Sequence, residues 1–255
     1  MNTVFQVLTG LVIFQILFIS IFLFTSKKGR RISNFLLAFF FLSLGCGMLD
    51  YFLLISGFFD ENTQYAFILN SLVIFHAPLL LLYTQSLTKS YFRLKSVYLL
   101  HTLPFVVIIF LLIVFYYSQS VERQEWTIDG VREGKDVVNI MISVIGLIYE
   151  LGYLLAVKIR IRKYRQLIKE QFSNIDKINL NWLNFLVNVF LISFVACVIA
   201  NILRHSQEGF LNEGAIIVGL IGLLVFINMV LFKGLHQNDV FLGAARKASY
   251  ETIAE

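Results

Sequence analysis

Seven stretches of about 20 mostly apolar residues, at positions 4–25, 32–59, 66–87, 97–117, 137–157, 180–203 and 215–235, make up most of this 255-residue sequence. A helix rises ~1.5 Å per residue, so each stretch is near the length that crosses a ~30 Å hydrocarbon core. The runs are continuous, whereas the strands of a membrane barrel alternate apolar and polar residues, so strands are not expected. Composition points the same way: 58% of residues are hydrophobic, 26 are phenylalanine and only 15% are charged. A mean hydropathy of +0.78 lies far above that of a soluble domain. The expected architecture is therefore an all-α membrane protein: a seven-transmembrane helix bundle over residues 1–235, then a cytoplasmic tail or linker, 236–255, leading towards an output domain. The first run lacks a preceding basic segment and a following small-residue cleavage site, so it is expected to remain as a mature helix.

The basic residues set the orientation. Lys27, Lys28, Arg30 and Arg31 follow the first run, Lys89, Arg93 and Lys95 the third, seven more lie within 158–177, and Lys233, Arg246 and Lys247 close the chain. Only Arg123, Arg132, Lys135 and Arg204 fall in the alternate segments. Lysine and arginine are retained on the cytoplasmic side, which predicts an outside N-terminus and a cytoplasmic C-terminus in a multi-pass protein of the inner (cytoplasmic) membrane. The net charge of +5 is explained by this sorting, and no nucleic-acid contact is read from the residues present. Cys46 and Cys197 both sit inside apolar runs, so neither a disulfide framework nor a metal site is indicated.

The segment 158–183, KIRIRKYRQLIKEQFSNIDKINLNWL, has an order of its own. Ile161, Tyr164, Ile168, Phe172 and Ile175 recur at the spacing of one helix face, which predicts that the fifth helix continues past the membrane as a basic amphipathic arm. It reads either as a headgroup-facing linker or as a relay, with Arg162, Tyr164, Ile168 and Phe172 carrying motion inward. Among the outer loops, 118–136 is the long one. There Asp129-Gly130 suits a tight hairpin between Glu125–Ile128 and Val131–Glu133, so a small β-lid is expected, with Trp126 at the membrane interface.

Polar residues inside apolar runs are costly in hydrocarbon unless they meet a partner or water. Asp50 in the second run and His76 in the third lie at similar expected depth, where they could pair and respond to a proton, a cation or an unknown small polar ligand. Glu150 in the fifth run, Asn184 and Asn188 in the sixth and Asn228 in the seventh could form a second network. For both groups the plainer reading, structural hydrogen bonds between helices, is the favoured one. The Gly45-Cys46-Gly47 patch could kink the second helix or admit a neighbour, and Ala215, Gly219 and Gly222 allow close packing within the bundle or a homodimer contact.

No metal-binding His-Glu-x-x-His, nucleophile elbow or phosphate-cradling loop is present, so neither an enzyme nor a cofactor is expected. Several motifs do occur in a consistent order. They are Pro78-Leu-Leu-Leu-Leu-Tyr83-Thr-Gln-Ser86-Leu87-Thr88, Leu100-His101-Thr-Leu-Pro104-Phe105, the stretch from Phe172 to Leu183, and Gly234-Leu235-His-Gln237 with Phe241. Together they resemble the seven-helix membrane module that precedes AraC-type helix-turn-helix domains in Bacteroidetes-like bacteria. That resemblance implies a membrane sensor coupled to a cytoplasmic transcriptional output. The sequence given ends at Glu255 without a helix-turn-helix pair, so DNA binding is implied for the family only and no DNA-contacting residue is carried over. The expected function is a receptor-like sensor embedded in the lipid bilayer. The alternatives are a small-solute or proton-coupled transporter using Asp50, His76 and Glu150, or a structural assembly partner.

Overall fold

The structure, a computed structural model, describes residues 3–27, 29–89, 91–133, 137–171, 180–204 and 209–236. These are helical almost throughout, and no strand occurs among them. The helices are α1 (Thr3–Thr25), α2 (Arg31–Ser56), α3 (Phe58–Glu61), α4 (His76–Thr88), α5 (Leu103–Leu112), α6 (Val121–Glu133), α7 (Val137–Gln171), α8 (Asn181–Arg204) and α9 (Gly209–His236). Among the described residues, five stretches are long and apolar enough to cross a membrane: Gln6–Thr25, Arg31–Ser56, Thr63–Thr88, Ser96–Tyr117 and Met141–Glu170. Two shorter apolar stretches, Asn181–Ala196 and Gly219–Phe232, belong to α8 and α9. The chain is a membrane-embedded helical protein.

Six helices close into a ring. In order, α1 packs on α2, α2 on α4, α4 on α7, α7 on α8, α8 on α9, and α9 returns to α1. Helix α5 lies outside this ring with no buried residue, joined to the preceding segment by the rings of Phe75 and Phe105, 5.1 Å apart. At the centre four phenylalanines form a cycle: Phe40–Phe41 5.4 Å, Phe41–Phe226 6.0 Å, Phe226–Phe190 6.4 Å and Phe190–Phe40 5.4 Å between centroids. A void of about 10 Å³ remains among them, also lined by Tyr83, and is no larger than one water.

Two glycines make this closeness possible. A Cβ on Gly45 would lie 2.9 Å from the Ile16 side chain of α1, and one on Gly47 2.6 Å from Val73. The Gly45-Cys46-Gly47 patch thus admits neighbours on both sides of α2.

The two prolines begin helices. Residues Asn70–Phe75 form a 3₁₀ turn before α4, and Ser96–Thr102 another before α5. Pro78 and Pro104 fall in the first turn of the α-helices that follow, where a backbone N–H has no intrahelical acceptor and its loss costs nothing. The third apolar run is consequently discontinuous. Its first part, from Thr63 to Phe75, combines 3₁₀ turns with a reversal at Phe67, whose φ of 67° is left-handed and strained for a residue bearing a Cβ.

The β-lid expected over 118–136 is instead the helix α6, Val121–Glu133. Gln124 and Ile128 are buried and Val131 packs beside them, a stripe at offsets 0, 4 and 7 that only a helix places on one face. The hairpin expectation rests on the turn propensity of Asp129-Gly130. Burial of one helical face outweighs it, and Gly130 is accommodated at a modest propensity cost. The other difference is length. Helix α7 is unbroken for 35 residues, about 52 Å, well beyond the expected 137–157.

Candidate functional site

Polar side chains gather at several levels of the bundle. At one end is a cap. After α5 the backbone widens into a π-type turn over Ile113–Tyr117, closed by Ser118 N–H donating to the Ile113 carbonyl five residues back at 3.1 Å. This turn aims two consecutive hydroxyls at the irregular segment of the third run. Tyr116 Oη donates to the Thr63 carbonyl at 2.8 Å and Tyr117 Oη to the Ala66 carbonyl at 2.6 Å. Thr63 in turn donates to Gln124 Oε1 at 2.6 Å, fastening α6 to the same segment.

Arg132 locks the far end of α6. Its Nε donates to the Leu54 carbonyl at 3.1 Å, near the C-terminus of α2, and its guanidinium pairs with Asp60 and, at 3.0 Å, with Asp129. A cation placed on the last carbonyls of a helix is favoured by the partial negative charge there. Trp126 is 60% exposed, with the Arg123 guanidinium 4.1 Å above its ring.

Beneath the cap sits Asp50. It is 4% exposed, and its carboxylate lies against the backbone N–H groups of Phe67, Leu69 and Asn70 at the strained reversal. One oxygen, Oδ1, has no hydrogen-bond partner. His76 occupies a different level. Its ring meets Phe40 and Phe190 at 6.0 and 6.2 Å and faces the Ser43 main chain, seven residues and about 10 Å along α2 from Asp50. The two residues expected to pair are therefore held by separate surroundings.

Glu150 is nearer to His76 in depth. Its neighbour Tyr149 donates to the Ile74 carbonyl at 3.4 Å, just before His76 begins α4, and α4 packs on α7. Glu150 is 3% exposed and its Oε1 is unpartnered, as is Nε2 of His76. The expected network with Asn184, Asn188 and Asn228 is not formed. Asn184 and Asn188 are half-buried on α8 with no hydrogen bond to Glu150, and Asn228 donates to Gln15 of α1 at 3.1 Å and to its own Leu224 carbonyl at 2.8 Å. Asn228 stands on the outer side of α9, away from α7, because 228 falls with exposed Ile221, Val225 and Phe232 on one face.

At the opposite end is a second clamp. Arg30, just before α2, donates to the carbonyls of Ser86 and Lys89 at 2.7 and 2.8 Å, at the C-terminus of α4. Ser86 donates to Ser33 at 2.8 Å, and Arg160 of α7 donates to Thr88 at 3.1 Å. Between the levels, His101 Nδ1 and Tyr153 Oη lie 2.7 Å apart and tie the turn before α5 to α7. Of the arm residues, Ile161 and Ile168 are buried, Tyr164 is half-buried and Arg162 exposed, while Phe172 and Ile175 lie outside the described residues. The amphipathic stripe up to Ile168 is thus a packed face.

The contacts of Gln15, Arg30, Arg132 and Tyr153 escape sequence reasoning, because each partner lies far away in the chain. The helix-end carbonyls held by Arg30 and Arg132 leave no residue-type signature at all. Among the described residues no cluster of metal-ligating side chains occurs. Compared with protein-family models, curated proteins and solved structures, the chain finds no match.

Proposed function

We propose that the chain is a seven-span sensor module of the cytoplasmic membrane, with α8 and α9 as the sixth and seventh spans, an outside N-terminus and a cytoplasmic C-terminus. An event at the outer cap or at the Asp50 turn shifts α2 and α7, and α7 carries the shift to the basic arm. The observation behind this reading is the continuity of α7, a 35-residue helix that starts just after the cap and ends beyond the inner clamp. Its length exceeds a ~30 Å hydrocarbon core by several turns, so one rigid element reaches both sides. The cytoplasmic receiver would be a transcriptional output of the AraC type, as the motif resemblance implies. A stimulus acts by preferring one of two arrangements, with about 1.4 kcal/mol of preference per tenfold shift.

A transporter reading draws on the broken third run beside Asp50, since discontinuous helices line substrate sites in many carriers. The phenylalanine cycle weighs against it, because it fills the ring centre and leaves room for no more than one water.

Releasing the cap tests the sensor reading. Arg132→Ala removes three polar contacts at a half-exposed site, worth about 1–2 kcal/mol in all. Amide exchange in α6 should speed up roughly tenfold. A spin label on Lys163→Cys, exposed on the arm, should change mobility in the same variant. An arm signal that stays constant while α6 exchanges faster refutes the relay. Solute uptake into proteoliposomes that Asp50→Asn abolishes would establish transport in its place.

A further inference from the structure

Helices α1 and α9 meet along the ring and present one outward face. On α9 this face is a groove of about 490 Å³ lined by Ile221, Leu224, Val225, Asn228, Met229 and Phe232. On α1 it continues through the exposed residues Leu11, Phe14 and Phe18. Such a surface suits hydrocarbon except at one point, the amide pair of Gln15 and Asn228. Gln15 stands near the middle of α1, so the pair lies deep in the apolar layer, where polar groups find no water.

The hydrogen-bond inventory of this pair is incomplete in a particular way. Both protons of the Asn228 amide are used, one on Gln15 Oε1 and one on the Leu224 carbonyl. Two groups remain unused: the carbonyl oxygen of Asn228, an acceptor, and the amide nitrogen of Gln15, a donor. They sit side by side at one depth. An acyl chain offers neither donor nor acceptor, and headgroups lie roughly 15 Å away at the edge of the core. A two-fold axis along the membrane normal preserves depth and brings the donor of each copy to the acceptor of the other. From this self-complementarity we propose that the α1/α9 face is the interface through which two copies of the chain pair, with Gln15 of each donating to Asn228 of its partner. The inference requires only that the chain is membrane-embedded and is independent of the sensor reading.

Thiol cross-linking in native membranes tests it, in a background carrying Cys46→Ser and Cys197→Ser. Val225→Cys, on the groove, should cross-link to a dimer, and Ile192→Cys, 68% exposed on α8, should not. Energy transfer between labelled copies in lipid vesicles then gives the dimer dissociation constant. Asn228→Leu or Gln15→Leu should weaken pairing roughly tenfold, and the two together little further, because they remove the same bonds. A chain that stays monomeric at every lipid dilution overturns the proposal, as does cross-linking at Ile192→Cys in preference to Val225→Cys. An unchanged dissociation constant in Asn228→Leu also overturns it. The cross-linking arm leaves the amides intact, so misfolding of Asn228→Leu would not blunt the test.

Discussion

Phe40→Ala should lower the thermal midpoint of the protein in detergent or nanodiscs by roughly 5–10 °C, while Phe115→Ala moves it by no more than about 1 °C. Phe40 is 1% exposed and touches Phe41, His76 and Phe190, so its ring joins α2 to α4 and α8. In a soluble core such a truncation costs about 3–5 kcal/mol, as lost transfer energy plus a cavity. In a membrane the separated helices keep their side chains in hydrocarbon, so the transfer part largely disappears and the packing part stays. About 2–3 kcal/mol remains, which gives the stated shift at a few degrees per kcal/mol. Phe115 is 70% exposed near the end of the peripheral span Ser96–Tyr117 and loses only contact with lipid. Equal shifts in the two variants would mean that the phenylalanine cycle does not hold the ring together.

Gly47→Leu should destabilise by about 2–3 kcal/mol, in contrast with Gly152→Ala, which should stabilise by about 0.5–1 kcal/mol. A Cβ at position 47 would stand 2.6 Å from Val73 Cγ2. Valine is stiff at χ1, and Val73 belongs to the 3₁₀ turn Asn70–Phe75, which the reversal at Phe67 anchors. Relief must therefore come from moving that turn off α2, which disturbs the backbone N–H groups around Asp50. At Gly152 nothing lies within 4 Å, and the residue is helical and exposed, so added side chain removes only backbone freedom from the unfolded chain. Denaturation midpoints of the two variants measure the difference. A neutral Gly47→Leu would show that α2 and the third run do not approach as closely as described.

Much of the helical architecture is legible in the residues because each signal is local. The apolar runs mark the long helices, and the stripe of Ile161, Tyr164 and Ile168 marks a helical face that proves to be packed. Gly45 and Gly47 announce a close approach before the neighbour is known. The failures occur where one local preference competes with a tertiary one. Asp129-Gly130 has turn chemistry, yet burial of Gln124, Ile128 and Val131 on one side makes the segment a helix. The polar residues were recognisable as unusual, but their partners were not. Counting residues along continuous helices puts Asp50 and His76 at one depth, but 3₁₀ turns and the reversal at Phe67 interrupt the third run, so Asp50 meets the backbone at Phe67 while His76 meets the phenylalanines at another level. Rotation escapes as well, since Asn228 faces Gln15 and not α7. A single sequence fixes neither the depth of a residue beyond an irregular turn nor the rotation of a helix about its axis.

In the proposed topology one helix, α7, carries the chain from an outer cap to a cytoplasmic arm. Single cysteines at Glu125, exposed on α6, and at Lys163, exposed on the arm, read it directly with a membrane-impermeant maleimide on intact cells. Labelling of Glu125→Cys from outside, with Lys163→Cys protected until the membrane is opened, is the predicted result. Labelling of Lys163→Cys in intact cells, or of both positions from one side, would contradict it.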